Sequence, residues 1–186
     1  FMYQYALPIL NERAGTGNPF FSVLLSISNH PPYVIPPYFH PHSDVLEEQI
    51  VEYADWSIRQ FMQAAEKQPW FDNTIFVFLG DHGKMVGTPE CEMPQSYNHI
   101  PLMIYGKDIK PGVYDGFGGQ VDVSPTLLGL LNISYLQNNF GVNLLEEERP
   151  CMFFTADNLI GARDSVNMFI YSPDSQQEFK YKLEEG

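Results

Sequence analysis

An aspartate followed at once by a histidine, Asp81-His82, stands between two glycines, Gly80 and Gly83. A carboxylate beside an imidazole offers a divalent cation one hard oxygen and one borderline nitrogen. The flanking glycines let the backbone turn sharply enough for both side chains to converge. The bland alternative is an aspartate in a tight turn next to a solvent-facing histidine, and for the dipeptide alone that reading wins, because such pairs are common by chance. The preceding residues reverse the balance. Asn73 to Leu79 reads NTIFVFL, a continuous β-branched and aromatic run typical of a parallel strand covered on both faces. In open α/β sheets, ligands sit beyond the carboxyl ends of the strands, where loops converge on a crevice.

His30 ends another apolar run. Phe20 to Ser28 reads FFSVLLSIS and breaks at Asn29-His30-Pro31-Pro32, the pattern of a buried strand entering a loop. In a parallel arrangement His30 reaches the same crevice, where an imidazole with an unperturbed pKa of about 6.5 can hydrogen-bond an anionic ester oxygen or give a proton to a leaving group. The competing reading is a histidine held by loop backbone beside two prolines. His99 precedes the run Ile100 to Tyr105, IPLMIY. It joins a substrate site only if its loop folds back over the crevice, and otherwise it packs. His40 and His42 lie in a proline-rich loop and read as solvated. Lys84 and Arg59 read as solvated or salt-bridged.

The elements that must position these groups follow from periodicity. After the loop with Pro36, Pro37 and Pro41, Asp44-Val45-Leu46-Glu47 has the form of a capping box. Ile50, Ala54, Ile58, Phe61, Met62 and Ala65 then recur at helical spacing and predict a helix laid on an apolar surface. IPLMIY, closed by Gly106, predicts a second buried strand. Ser124-Pro125 supplies an N-cap and a first-turn proline for a short leucine-rich helix. Beyond Pro150, Met152 to Thr155, Val166 to Tyr171 and Phe179 to Leu183 predict short strands separated by turn residues such as Ser172-Pro173-Asp174. The order predicts an α/β fold: a largely parallel sheet flanked by helices over residues 1–149, and a small antiparallel subdomain over 150–186.

Composition bounds the function. The 186 residues are 44% hydrophobic and 15% aromatic, enough for a sizeable core. A net charge of −13 repels nucleic acid and other polyanions at long range, so an anionic substrate must be held by local groups such as a metal. No apolar run approaches the roughly 20 residues that span a bilayer. The start at Phe1, with neither an initiator Met nor a basic flank, reads as an interior cut. Cys91 and Cys151 could pair in an oxidising compartment, but neither has metal or redox spacing. Nothing assigns an oligomeric state.

Taken together, SISNHPPY at Ser26 to Tyr33, YADWSIR at Tyr53 to Arg59, FVFLGDHG at Phe76 to Gly83, HIPLMIYG at His99 to Gly106 and VDVSPTLL at Val121 to Leu128 resemble the sulfatase family of the alkaline phosphatase superfamily. The likeness is to its lipoteichoic-acid-synthase-like branch and the phosphoethanolamine-transferase relatives, and it runs from about Asn18 to the end. It implies the C-terminal portion of an alkaline-phosphatase-like catalytic domain. Asp81 and His82 would bind the catalytic divalent cation (Mn, Mg, Ca or Zn). His30 would face the substrate, whereas His99 stands where many sulfatases show other residues and is a substrate-binding candidate by its place before the Ile100 to Tyr105 run alone. The nucleophile and the first acidic metal ligand would lie in an N-terminal half outside this chain, so no residue here is assigned as catalytic.

Two departures refine what the resemblance implies. Two-zinc members carry D-x-x-x-H on the helix before the Asp-His strand, whereas Asp55 is followed four residues later by Arg59, which favours a single metal. The absence of a basic residue just before the His99 loop weakens a sulfate-ester assignment and leaves phosphate esters open. The implied mechanism is metal-assisted displacement through a covalent phospho- or sulfo-enzyme, resolved by water or an acceptor alcohol. The implied setting is periplasmic or cell-surface, with membrane attachment only through the missing N-terminal region. From a different class stands a noncatalytic interaction or glycan-binding domain that inherits the fold.

Overall fold

The computed structural model describes residues 2–85 and 87–183. In chain order it forms α1 (Met2–Gly15), α2 (Leu46–Ala65), a 3-10 turn (Phe71–Asn73), β1 (Phe76–Leu79), α3 (Gln95–Asn98), β2 (Leu102–Tyr105), α4 (Gln120–Leu130), β3 (Met152–Ala156), β4 (Leu159–Arg163), β5 (Asn167–Ser172) and β6 (Gln177–Lys182). β1 and β2 pair with each other, and β3 to β6 form a four-stranded sheet in sequence order. This is the expected α/β class with a small antiparallel C-terminal sheet. Two compact units arise: Phe1–Phe76 with Ile104–Ile109, and Val77–Met103 with Lys110–Gly186.

The first unit is organised by α2. Ile50, Tyr53, Phe61 and Ala65 are its buried residues, the face that the spacing of apolar residues marks. Its start differs from the capping box read at Asp44. The N-cap is Val45, with no side-chain cap. Ser43 does the work instead: its Oγ accepts from the Val45 N–H at 3.0 Å and its carbonyl accepts from Gln49 Nε2 at 2.9 Å. Glu52, one turn into the helix, receives the backbone N–H groups of His42 and Ser43, so His42 is tied to the helix rather than merely solvated.

Helix α1 is absent from the sequence reading because Pro8 lies inside it and reads as a break. Tertiary packing overrides that signal. Leu10 is buried with Phe61, Ala65 and Trp70, and Trp70 Nε1 donates to Asn11 Oδ1 at 2.6 Å. The strand read over Phe20 to Ser28 is corrected: among the described residues the segment joins no sheet, and Ser28 already lies in a turn. A strand exists only when a neighbour takes up its N–H and C=O groups, and among the described residues none does. Phe21, Val23, Leu25 and Ile27 are correspondingly 85, 72, 71 and 79% exposed.

The two central strands are shorter than their apolar runs. Phe71 to Asn73 is consumed by the 3-10 turn, with Thr74 Oγ1 bonded to Trp70 O at 2.8 Å, so β1 begins at Phe76. Pro101 has no N–H to give a ladder, so β2 begins at Leu102. Phe71, Phe76 and Tyr105 pack ring against ring at 5.2 to 6.2 Å.

In the second unit, β3 to β6 form an antiparallel meander over a core of Met93, Met168 and Ile170. β4 is an unanticipated strand. Asp157 and Asn158 both have positive φ, 48° and 63°, between the paired residues Ala156 and Leu159. That is the primed two-residue hairpin for which Asp and Asn are suited. Helix α4 starts four residues before the Ser124-Pro125 signal, leaving Pro125 inside the helix.

Candidate metal centre

β1 ends at Leu79 and delivers the chain into Gly80-Asp81-His82-Gly83. Both site side chains are mostly solvent-exposed, at 76% for Asp81 and 57% for His82. Asp81 Oδ1 accepts the His82 N–H at 3.0 Å, which folds the carboxylate back over the next residue. His82 Nδ1 lies 2.7 Å from the carbonyl oxygen of Gly83. A carbonyl can only accept, so Nδ1 carries a proton, and in the neutral ring the lone pair is then on Nε2. Nε2 is 3.8 Å from Asp81 Oδ2. That gap is too wide for a hydrogen bond, yet with metal–ligand distances of roughly 2.0–2.2 Å one cation can touch both atoms.

The ring is also fixed from outside. Tyr97 stacks on His82 at 5.6 Å between centroids, with planes 21° apart. Tyr97 O accepts the Gly83 N–H at 2.8 Å. Gly83 has no alternative there: a Cβ on it would lie 2.0 Å from Ser96 O, a backbone atom that cannot step aside cheaply. Gly80 N–H donates to Pro101 O at 3.3 Å.

On the far side of the loop, Gln120 Nε2 donates to Gly80 O at 3.1 Å and to Asp81 O at 2.7 Å. Gln120 is the first residue of α4, and the start of that helix is anchored by a buried carboxylate. Asp122 is fully buried and accepts from Gly119 N–H at 2.9 Å, Val142 N–H at 2.8 Å, and Arg149 Nε and Nη2 at 2.7 and 2.5 Å. Burial alone would raise the Asp122 carboxyl. The Arg149 guanidinium and the two backbone N–H groups outweigh it and hold the group below the usual carboxylate range.

Of the four residues singled out by sequence, Asp81 and His82 are brought together. His99 caps the C-terminal end of α3, its N–H bonded to Gln95 O at 2.8 Å, two residues after the Tyr97 that stacks on His82. His30 belongs to the first unit and sits in a turn, with its N–H on Ile27 O at 3.2 Å and Nδ1 on Pro31 O at 2.9 Å. Tyr97, Gln120, Asp122 and Arg149 escaped the sequence reading. Only Asp122 left a trace there, as part of VDVSPTLL; the others act on partners remote in sequence. Among the described residues no group of three or more His, Cys, Asp or Glu side chains is gathered. Asp81 and His82 are therefore a pair of donors of the types a divalent cation takes, an oxygen and a nitrogen.

Comparisons with known proteins bear on the family and the fold. The family profile named Sulfatase matches residues 1–133. Lipoteichoic acid synthase 1 of Bacillus subtilis (strain 168) is 25% identical over 194 residues, covering 87% of this chain and 29% of the relative. Choline-sulfatase of Rhizobium meliloti (strain 1021) is 29% identical over 121 residues, 58% of this chain and 22% of the relative. An alkaline phosphatase superfamily protein from Vibrio parahaemolyticus superposes with a TM-score of 0.83 at 25% identity, over 100% of this chain and 49% of that one. A lipoteichoic acid synthase from Listeria monocytogenes shares the fold, with a TM-score of 0.75 at 22% identity over 98% of this chain and 52% of that one. The chain thus spans less than a third of these curated relatives and about half of these solved chains. With the family profile matched over most of its length, this chain belongs to the sulfatase family and has the alkaline-phosphatase-like fold.

Proposed function

We propose that this chain is the portion of a phosphate- or sulfate-ester hydrolase or transferase that carries the Asp-His metal ligands. Asp81 Oδ2 and His82 Nε2 would hold one divalent cation (Mn, Mg, Ca or Zn), and His30 and His99 would contact the ester. The observation that carries this reading is the pair of metal-ligating atoms 3.8 Å apart beyond a strand end, with His82 Nδ1 already engaged and Nε2 left open. A hydrogen bond on the non-ligating nitrogen of a histidine is the usual way its tautomer and ring orientation are fixed for a metal. The relatives' names, a lipoteichoic acid synthase and a choline-sulfatase, support ester chemistry without choosing between phosphate and sulfate.

When bound, the cation supplies positive charge that lowers the pKa of a nucleophile and offsets charge on ester oxygens. The residues of this chain do the positioning. Asp81 presents its carboxylate, His82 presents Nε2, and Tyr97 and Gly83 hold that ring. The nucleophile belongs to sequence outside this chain in this reading, so the isolated chain binds the cation weakly and turns over no ester. An extracytoplasmic location with a membrane tether elsewhere in the protein belongs to the same reading. Among the described residues no helix is long and apolar enough to cross a membrane. So does a boundary at residues 149 and 150 between catalytic-domain portion and antiparallel subdomain, supported by a meander whose strands pair only with sequence neighbours.

Titration of the chain with Mn2+ by calorimetry tests the proposal. Asp81→Ala should weaken binding at least about tenfold, as expected when one of few ligands is lost, and in the full-length protein it should abolish ester turnover. Circular dichroism should be unchanged because Asp81 is exposed. A full-length parent that neither binds Mn2+ nor turns over ester, with Asp81→Ala changing neither, would instead support the noncatalytic interaction or glycan-binding reading. Ester hydrolysis by the isolated chain would contradict the placement of the nucleophile.

A further inference from the structure

We propose that Gln120 is a positioning residue, a clamp that sets the backbone of the Asp81-His82 loop from the start of α4. The role as a metal loop rests on the reading above, whereas the clamp itself rests on geometry alone. The side-chain nitrogen of Gln120 lies 3.1 Å from Gly80 O and 2.7 Å from Asp81 O. Both partners are carbonyls, which only accept, so the group facing them is the NH2, and its two hydrogens are spent on two successive carbonyls. Two N–H groups of the same loop are taken by other segments, Gly80 by Pro101 O and Gly83 by Tyr97 O. The loop backbone is held on its N–H side by the α3–β2 segment and on its carbonyl side by Gln120.

A clamp must be better anchored than what it holds. Gln120 is two residues before Asp122, whose carboxylate accepts from Gly119, Val142 and twice from Arg149 in a fully buried position. The base of α4 therefore cannot drift relative to the Val142 and Arg149 segment. Rigid supporting contacts of this kind decide whether metal-ligating side chains sit within reach of one ion. Gln120 is itself exposed, so the bonds to Gly80 and Asp81 are not forced by burial.

The test compares Gln120→Ala and Gln120→Glu with the parent chain by amide hydrogen exchange at Gly80, His82 and Gly83 without metal, and by Mn2+ titration. Glu nearly matches Gln in shape but has no hydrogens to donate, and a carboxylate in the first turn of a helix favours the helix. A loss of protection in Gln120→Glu therefore reports the clamp and not a weakened α4. Exchange at these amides should quicken by roughly three- to tenfold in both variants, the scale of one or two exposed hydrogen bonds, with the thermal midpoint of the chain little changed. Mn2+ affinity, read in Gln120→Ala because a new carboxylate would itself attract the cation, should weaken by a similar factor. Protection equal to the parent in both variants overturns the clamp. Mn2+ affinity unchanged in Gln120→Ala despite faster exchange overturns its positioning role. Asp81→Ala separates this from the underlying assignment: if that variant keeps full Mn2+ affinity, the metal reading fails, while the exchange data still decide the clamp.

Discussion

At the scale of single residues, the candidate site depends on which atoms are already committed. His82 has one nitrogen bonded to Gly83 O and the other open, so its tautomer is set before any ion arrives. Gly83 is the residue with least freedom to change. In Gly83→Ala the new Cβ meets Ser96 O at 2.0 Å, so the loop must separate from α3, breaking the Gly83 N–H bond to Tyr97 O and the Tyr97 stack on His82. We expect a loss of about 1–3 kcal/mol in urea denaturation, and a weakening of Mn2+ binding of at least about tenfold. Wild-type affinity in Gly83→Ala would mean that the loop does not depend on this close approach. The Asp-His pair and its flanking glycines were legible from residue types alone. The need for Gly83 was legible only as a turn, since the close approach of Ser96 brings in α3, which local pattern cannot place against it.

Elements differ in how far local sequence dictates them. α2 follows its apolar spacing closely, because a long helix repeats the same signal over several turns. α1 shows the opposite: a helix interrupted by Pro8 persists because Leu10 and Asn11 are held by Trp70 and its neighbours. Pro8 is exposed and makes no such contribution. Pro8→Ala restores an N–H to the helix ladder and removes the ring from the preceding turn, so it should stabilise the chain by about 1–3 kcal/mol, measured as a higher urea midpoint at unchanged slope. A lower midpoint would show that the proline ring at position 8 contributes to the packing of α1 on α2. The hairpin between β3 and β4 was written in Asp157-Asn158, a signal weaker than Asn-Gly and therefore passed over.

At the scale of the whole molecule, one buried ion pair couples the fold to pH. Asp122 is held below the ordinary carboxylate range in the folded chain, so it contributes stability that is fully present above the unfolded value of about 3.9 and lost as pH falls through the lower folded value. In Arg149→Met, burial remains but the guanidinium is gone, and the sign reverses. The Asp122 carboxyl then titrates above its unfolded value, so the variant loses stability as pH rises from about 4. Urea denaturation should show Arg149→Met destabilised by about 3 kcal/mol at pH 7.5, with part of the loss recovered at pH 4.5. Equal losses at both pH values would mean that Arg149 acts by packing and not through the charge of Asp122.

What the sequence by itself determined are the features carried within a dozen residues: the strand running into Gly80-Asp81-His82-Gly83, the buried face of α2, the family motifs and the alternating strands of the C-terminal sheet. Tertiary structure alone decided that Gln120 reaches the loop across 40 residues, that Arg149 neutralises Asp122 across 27, and that Phe20 to Ser28 has no ladder among the described residues. The physical reason is the same in each case. Periodicity and propensity act through neighbours along the chain, whereas a hydrogen bond to a carbonyl, a paired buried charge or a sheet partner depends on which distant segment the fold brings within about 3 Å.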